Sequence, residues 1–244
     1  MTTNIPAPNT FPPSNFNYWI NLEQFSTYEL VVTGIGWIFW ISLYILIVVH
    51  IRKSKYVEMP WICVLGNISW EFVWGFFFYD TINLGELFIW SYRAWFFLDI
   101  FILWGLFKYG RKQLNSPDLK KYFVPICIFF IAFWICLYSS FIASNFDHKW
   151  GSQSAYISNI VISILFLELF LRQGKTRRFS KVMAWCKCLG TLAYTIVYFN
   201  FDYPNIFVHV AGFTVLVLDI IYLYLLYTRQ PKDWQPEATQ MQTA

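Results

Sequence analysis

Charged side chains are scarce in this sequence. Asp, Glu, Lys and Arg make up only 13% of the 244 residues, while 57% are hydrophobic. Soluble domains usually carry about 25% charged residues. The few charges also cluster, and they leave apolar runs of about 20 residues, the length that crosses a bilayer. This composition excludes a soluble protein and predicts an integral membrane protein.

Seven apolar runs predict an all-α fold, a seven-helix transmembrane bundle. Their predicted bounds are 28–51, 59–80, 86–108, 122–144, 154–171, 184–201 and 205–228. The membrane domain is therefore expected over residues 28–228. Residues 1–27 form a polar amino-terminal segment outside the cytoplasm, and residues 229–244 form a disordered cytoplasmic tail.

Basic residues are absent from residues 1–27 and lie mostly on one predicted side of the membrane. Of the 18 Lys and Arg residues, 16 follow or flank the first, third, fifth and seventh runs. The positive-inside rule then places the amino terminus outside and the carboxyl terminus in the cytoplasm. We expect a multi-pass protein of a bacterial inner membrane or the endoplasmic reticulum. The basic loops suit anionic lipid and need no nucleic acid.

Four acidic residues lie inside the predicted crossings: Glu71, Asp99, Glu168 and Asp219. An ionisable side chain at the bilayer centre costs at least ~2.5 kcal/mol, so such residues face the bundle interior and usually serve a function. Glu168 precedes Arg172 by four residues, and an ion pair along the helix explains it. Glu71, Asp99 and Asp219 are therefore the candidate catalytic residues.

Glu71 has the most informative neighbours. By helical spacing Asn67, Trp70, Glu71 and Trp74 share one face. A carboxyl group buried beside an amide and two indoles resists ionisation and can hold a proton for delivery. The structural alternative is a hydrogen bond that joins two helices.

Asp219 lies in an unbroken apolar run, and Asp99 lies two turns from Arg93. Arg93 is a candidate ion-pair partner for either aspartate. A structural bridge and a catalytic role both stay open for Asp99.

Aromatic side chains are abundant, with 13 Trp, 16 Tyr and 26 Phe. Packing and interfacial belts account for most of them. The alternative for the rest is a pocket of π faces, which stabilise a cation without reacting with it. The candidate residues for this substrate or cation pocket are Asn67, Trp70, Trp74, Arg93, Trp95 and Tyr222. No aspartate-rich run is present to hold magnesium-bound diphosphate, and no metal or cofactor site is expected.

Several motifs resemble the small integral-membrane terpene cyclases of fungal meroterpenoid and indole-diterpene pathways and their bacterial relatives. The stretch 67–75 resembles the Asn-x-x-Trp-Glu signature of the second helix. The stretches 34–38, 172–177 and 217–222, together with Trp185 and Leu189-Gly190, resemble further motifs in the same order. The resemblance covers nearly the whole chain. The sequence departs from the fungal pattern at three places, with Asp99 in place of an amide, the stretch 166–170 in place of a glycine-containing one, and Ile220 in place of a glycine.

The resemblance implies a metal-independent cyclase, of isomerase or lyase type. It would protonate an epoxide or alkene of a lipophilic prenyl or meroterpenoid substrate and cyclise it through carbocations. The two essential acids of the family correspond to Glu71 and Asp219. These would act as proton donor and partner, in an order that the sequence leaves open. Besides this substrate, the expected partners are the lipid bilayer and a second copy of the chain in a homo-oligomer.

Two other membrane classes have a similar architecture. A retinal protein needs a lysine in the seventh helix, and residues 205–228 contain none. A proton-coupled small-molecule transporter, with Glu71 and Asp219 as relay acids, is the alternative function.

Overall fold

The computed structural model describes residues 15–23, 25–79, 85–147, 150–173, 179–200 and 205–230. These residues form helices and no strands. In chain order the helices are α1 (Phe16–Trp19), α2 (Thr27–Ser54), α3 (Trp61–Phe72), α4 (Glu86–Tyr109), α5 (Pro117–Lys121), α6 (Phe123–Ala143), α7 (Ser152–Gln173), α8 (Lys181–Asn200) and α9 (Ile206–Arg229). A π-helical segment, Val73–Phe77, continues α3, and a 3₁₀ turn, Gly110–Gln113, continues α4.

Each predicted crossing corresponds to a helix, and the helix ends lie within three residues of the predicted ends when the π-helical segment is counted with α3. Within the described residues, six helices are long and apolar enough to span a membrane: α2, α4, α6, α7, α8 and α9. The second crossing is shorter, because α3 has 12 residues and its π-helical continuation has 5. The orientation of the bundle in the membrane stays a prediction. Most of residues 1–27 and nearly all of the tail 229–244 lie outside the described residues, as do residues 174–177 of the stretch after α7.

Local signals define the helix ends. Ser26 accepts a hydrogen bond from the Glu29 backbone while the Glu29 carboxylate accepts one from the Ser26 backbone, which forms a capping box before α2. Asn205 caps α9 through the Val208 backbone. Basic side chains occupy the last turns of α2, α4, α7 and α9, where they complement the helix dipole.

Six helices form a closed ring in the order α3, α4, α2, α8, α9 and α7, and α6 packs outside against α3. The largest hydrophobic core contains Ile51, Val57, Leu106, Phe123 and Phe179, which lie near the end of the bundle where α2 and α4 finish. The opposite half of the ring is less completely filled and contains a cavity.

Close packing of α8 against α9 depends on Gly212. A Cβ atom at Gly212 would lie 2.5 Å from Thr195 Cγ2, and Thr195 is held by hydrogen bonds to Thr191 O and the Tyr156 hydroxyl. At Gly34 of α2, by contrast, an added Cβ meets nothing within 4 Å.

We therefore expect Gly212→Ala to destabilise the fold by about 1–3 kcal/mol, the usual cost of overpacking. Gly34→Ala is the matched control and should keep the wild-type melting temperature. Thermal unfolding of the purified proteins in detergent measures both. Equal melting temperatures would contradict the packing role of Gly212.

Candidate active site

A cavity of about 160 Å³ lies inside the ring of helices. It occupies the half of the bundle where α2, α4 and α7 begin, since Phe25, Phe88 and Trp150 are among its lining residues. Its aromatic lining consists of Phe25, Trp37, Trp40, Tyr44, Trp70, Phe88, Tyr92, Trp95, Trp150, Tyr156, Tyr194 and Tyr198. The wall is therefore largely made of π faces, as the aromatic content of the sequence suggested.

Glu71 is the one carboxyl group that lines this cavity among the described residues, and it is 1% exposed. Its Oε1 accepts a hydrogen bond from the Tyr44 hydroxyl at 2.5 Å and from Asn67 Nδ2 at 3.1 Å. The Asn67 contact is the one that the helical spacing predicted. Glu71 is also hydrogen-bonded to the carboxyl group of Asp99. Tyr44, Asn67 and Asp99 thus hold the Glu71 carboxyl group at the wall of the cavity.

Asp99 lies directly beside this cluster. Asn67 Nδ2 also donates to Asp99 Oδ2 at 2.8 Å, and it contacts the Tyr44 hydroxyl as well. Asp99 is 0% exposed and does not line the cavity. In the part of the chain that the structure describes, no Lys or Arg forms an ion pair with Asp99 or Glu71. Two carboxylates this close cannot both ionise without a cation, so the pair retains a proton.

The three tryptophans that the sequence analysis assigned to the pocket lie at different positions relative to the cavity. Trp70 lines the cavity, and its Nε1 donates to Ser154 Oγ at 2.7 Å. Trp95 also lines the cavity, with an indole N–H that has no partner in the described residues. Trp74 is completely buried and does not line the cavity; it belongs to the π-helical segment and packs 6.3 Å from Trp70 between ring centroids. It supports the wall from behind.

Arg93 stabilises the π-helical segment and pairs with neither aspartate, so the predicted ion pairs are wrong. Its Nε donates to the Gly75 carbonyl at 3.0 Å, and its guanidinium lies over the rings of Phe76, Tyr79 and Trp90. A π-helical segment leaves backbone groups to be satisfied and often occurs beside functional sites. Arg93 satisfies one of them but does not line the cavity.

Asp219 forms a buried ion pair with Lys187 of α8. Lys187 Nζ contacts the two Asp219 oxygens at 2.7 and 3.0 Å and Ser163 Oγ at 2.6 Å. Both charged residues are 3% exposed, and neither lines the cavity. Sequence analysis counted Lys187 among the loop cations, although it lies within the predicted crossing 184–201, and therefore missed this pairing. A catalytic role for Asp219 stays a prediction.

Tyr222 and Glu168 also lie outside the cavity. The ring of Tyr222 packs against Phe166 and Phe170 in the core. Glu168 accepts a hydrogen bond from Arg172 Nε at 2.8 Å, which confirms the predicted ion pair along the helix.

Tyr44 is the main site residue that the sequence analysis missed. It extends the series Trp37, Trp40 and Tyr44, whose spacing of three and four places all of them on one helical face. All three line the cavity. The helical spacing of these three aromatic residues is the sequence signal that could have identified Tyr44 as a site residue.

A further buried carboxyl group, Glu58, lies in the connection between α2 and α3. Its Oε1 accepts a hydrogen bond from the Ser180 backbone at 2.8 Å. Burial raises the pKa of Glu58 from 4.5 to about 8, although the Ser180 hydrogen bond opposes this shift. Glu58 therefore links this connection to the start of α8, away from the cavity.

The described part of the molecule is thus a helical membrane protein with a buried acid at the wall of an aromatic cavity. Comparison with known families agrees: the chain belongs to the Pyr4-like transmembrane terpene cyclases, whose family model matches residues 12–232. Members of this family cyclise terpenoids.

Two curated relatives are similar to the chain. The Pyr4-family terpene cyclase mfmH of Annulohypoxylon moriforme is 24% identical over 190 residues, which are 74% of this chain and 76% of the relative. The terpene cyclase macJ of Penicillium terrestre is 27% identical over 175 residues, 68% of this chain and 65% of the relative. No solved structure matches the chain.

Folding should require that Lys187 and Asp219 are either both present or both replaced. Either Lys187→Met or Asp219→Leu leaves one buried charge uncompensated, at a cost of about 3–5 kcal/mol. The double variant removes both charges and should recover most of the folded yield, measured as the monodisperse fraction in size-exclusion chromatography. A double variant that folds worse than either single one would contradict this role.

Proposed function

We propose that the protein is an acid-initiated terpene cyclase in which Glu71 delivers the proton. One observation carries the proposal: Glu71 is the cavity's carboxyl group among the described residues, and it is hydrogen-bonded to a second buried carboxyl group, Asp99. The substrate is a lipophilic prenylated chain that carries a terminal epoxide or alkene. Family membership and the aromatic lining support this choice over a transporter.

The first step transfers the Glu71 proton to the epoxide oxygen. The C–O bond breaks, and the electrons of the nearest double bond form a new C–C bond to that carbon. Each further ring moves the positive charge along the chain. The last cation loses a proton from carbon, or a hydroxyl of the same molecule captures it and then loses its proton. In either case one proton leaves the product, and the Glu71 carboxylate is protonated again. The product is therefore an isomer of the substrate with the same mass.

Asp99 and Tyr44 hold the Glu71 carboxyl group in position to donate its proton. The hydrogen bonds from Tyr44 and Asn67 hold Glu71 Oε1. The same Asn67 amide binds Asp99, whose negative charge would disfavour ionisation of Glu71. Asp99 is therefore the partner carboxyl group that we propose for Glu71.

Asp219 acts indirectly in this proposal. Its ion pair with Lys187 holds α9 against α8 and contacts Ser163 of α7, one turn from the cavity residue Asn159. We assign it as a positioning residue. Cyclisation by the folded double variant, Lys187→Met with Asp219→Leu, would support this assignment, and a folded but inactive double variant would show that Asp219 takes part in the chemistry.

Glu71→Gln should abolish turnover, since a positioned general acid contributes about 10²–10⁴-fold. The assay gives purified protein epoxyfarnesyl and epoxygeranylgeranyl conjugates and detects cyclised isomers of unchanged mass, without added metal. Glu168→Gln is the matched control, because this exposed carboxyl group pairs with Arg172 of its own helix and does not line the cavity. It should keep wild-type activity.

Wild-type rates in Glu71→Gln would overturn the proposed acid. Turnover that a chelator abolishes would overturn the metal-independent mechanism. Uptake of a labelled solute into proteoliposomes, without cyclisation, would favour the transporter.

Tyr44→Phe should lower kcat about tenfold, the value of roughly one hydrogen bond, with little change in KM. The phenol orients the acid but need not bind the substrate. Tyr224→Phe removes a hydroxyl from the exposed surface of α9 and should be without effect. Steady-state kinetics of both variants test this, and an unchanged kcat in Tyr44→Phe would remove Tyr44 from the acid cluster.

A further inference from the structure

The wall of the cavity formed by α7 and α8 has its own polar groups. Asn159 Nδ2 donates to Thr191 Oγ1 at 3.0 Å, which leaves Asn159 Oδ1 without a partner in the described structure. The hydroxyl of Tyr194, one turn further along α8, likewise has no partner there. Both side chains line the cavity. Buried polar groups are nearly always hydrogen-bonded, so these two atoms call for an explanation.

Several other polar side chains around the cavity are already satisfied within the protein, whereas the Trp95 indole N–H on α4 is not. The Tyr156 hydroxyl is paired with Thr195 Oγ1 at 2.8 Å. Ser158 Oγ donates to the Ser154 carbonyl at 2.8 Å, and the Tyr92 hydroxyl donates to the Trp150 carbonyl at 3.2 Å. The unused hydrogen-bonding capacity of the wall formed by α7 and α8 therefore lies on Asn159 and Tyr194.

Neighbouring contacts hold Asn159 in place. The bond from Asn159 to Thr191 lies between two other links that join α7 to α8: Ser163 with Lys187 on one side, and Tyr156 with Thr195 on the other. These links determine which side of the Asn159 amide faces the cavity. An amide held in this way presents an acceptor and is poorly able to turn away.

The second group, Tyr194, is fixed by close packing against α2. A Cβ atom at Gly36 would lie 3.2 Å from Tyr194 Cε2, so this glycine permits the ring to approach the helix. Glu71 belongs to α3, so a ligand in the cavity can contact the acid and the pair on α7 and α8 together.

We propose that Asn159 and Tyr194 form a subsite that binds the polar head group of the substrate. Asn159 Oδ1 accepts a hydrogen bond from a hydroxyl or N–H of the head group, and the Tyr194 hydroxyl donates to an adjacent oxygen. The subsite determines which end of the prenyl chain reaches Glu71. This inference rests on the proposed cyclase function and adds a specificity-determining pair to it.

The test compares two substrates that differ in one group: an epoxyfarnesyl conjugate with a free hydroxyl on its ring head group, and its deoxy analogue. Sites built to bind a hydroxyl reject an analogue that lacks it, so wild type should prefer the hydroxylated substrate by at least about tenfold in kcat/KM. Asn159→Leu should reduce this preference to about threefold or less. Tyr194→Phe, which keeps the ring, should reduce it partially and provides the test if Asn159→Leu does not fold.

Tyr156→Phe is the matched control, because it removes a cavity hydroxyl that is already paired with Thr195. The preference between the two substrates should persist in this variant even if its rates fall. If folded Asn159→Leu and Tyr194→Phe keep the wild-type preference, or if wild type shows none while cyclising both substrates, the subsite is overturned. If wild type cyclises neither substrate, the proposed function fails with it.

Discussion

Burial of carboxyl groups in an apolar bundle is the constraint on which this structure depends. Each buried acid needs compensation, because the surroundings supply almost no solvation. The protein meets this need in two ways. Asp219 receives a cation, Lys187, and a serine hydroxyl. Glu71 and Asp99 receive an amide and a phenol, with no cation among the described contacts. The first arrangement keeps a charge in place, whereas the second favours a retained proton.

The acid cluster depends in turn on how the helices around it are held. Immediately after Glu71 the helix widens into the π-helical segment, and Arg93 binds its free carbonyl from α4. This segment places Trp74 behind Trp70, at the wall of the cavity. Trp74, which the sequence analysis assigned to the pocket, therefore contributes to the site through the position that the π-helical backbone gives it. Rigid helices are suited to hold an acid at a constant distance from a bound chain.

The arrangement of polar groups around the cavity agrees better with a cyclase than with a carrier. A relay between Glu71 and Asp219 would need both acids free to exchange protons, but Lys187 binds both oxygens of Asp219. The polar groups lie at separate places on the wall: the Glu71 carboxyl group beside Asp99, the unpaired indole N–H of Trp95, and the unpaired atoms of Asn159 and Tyr194. Aromatic faces fill the space around them, and these stabilise a cation without trapping it.

The sequence by itself determined the helices and the contacts within one helix. Apolar runs of bilayer length located the six long apolar helices, and spacings of four residues predicted both the bond from Asn67 to Glu71 and the ion pair of Glu168 with Arg172. The tertiary structure alone decided that Asp99 joins Glu71, that Lys187 binds Asp219, and that Arg93 binds Gly75. Spacing along one helix fixes which side chains share a face. Contacts between helices depend on the rotation and depth of each helix, which the packing of the whole ring sets.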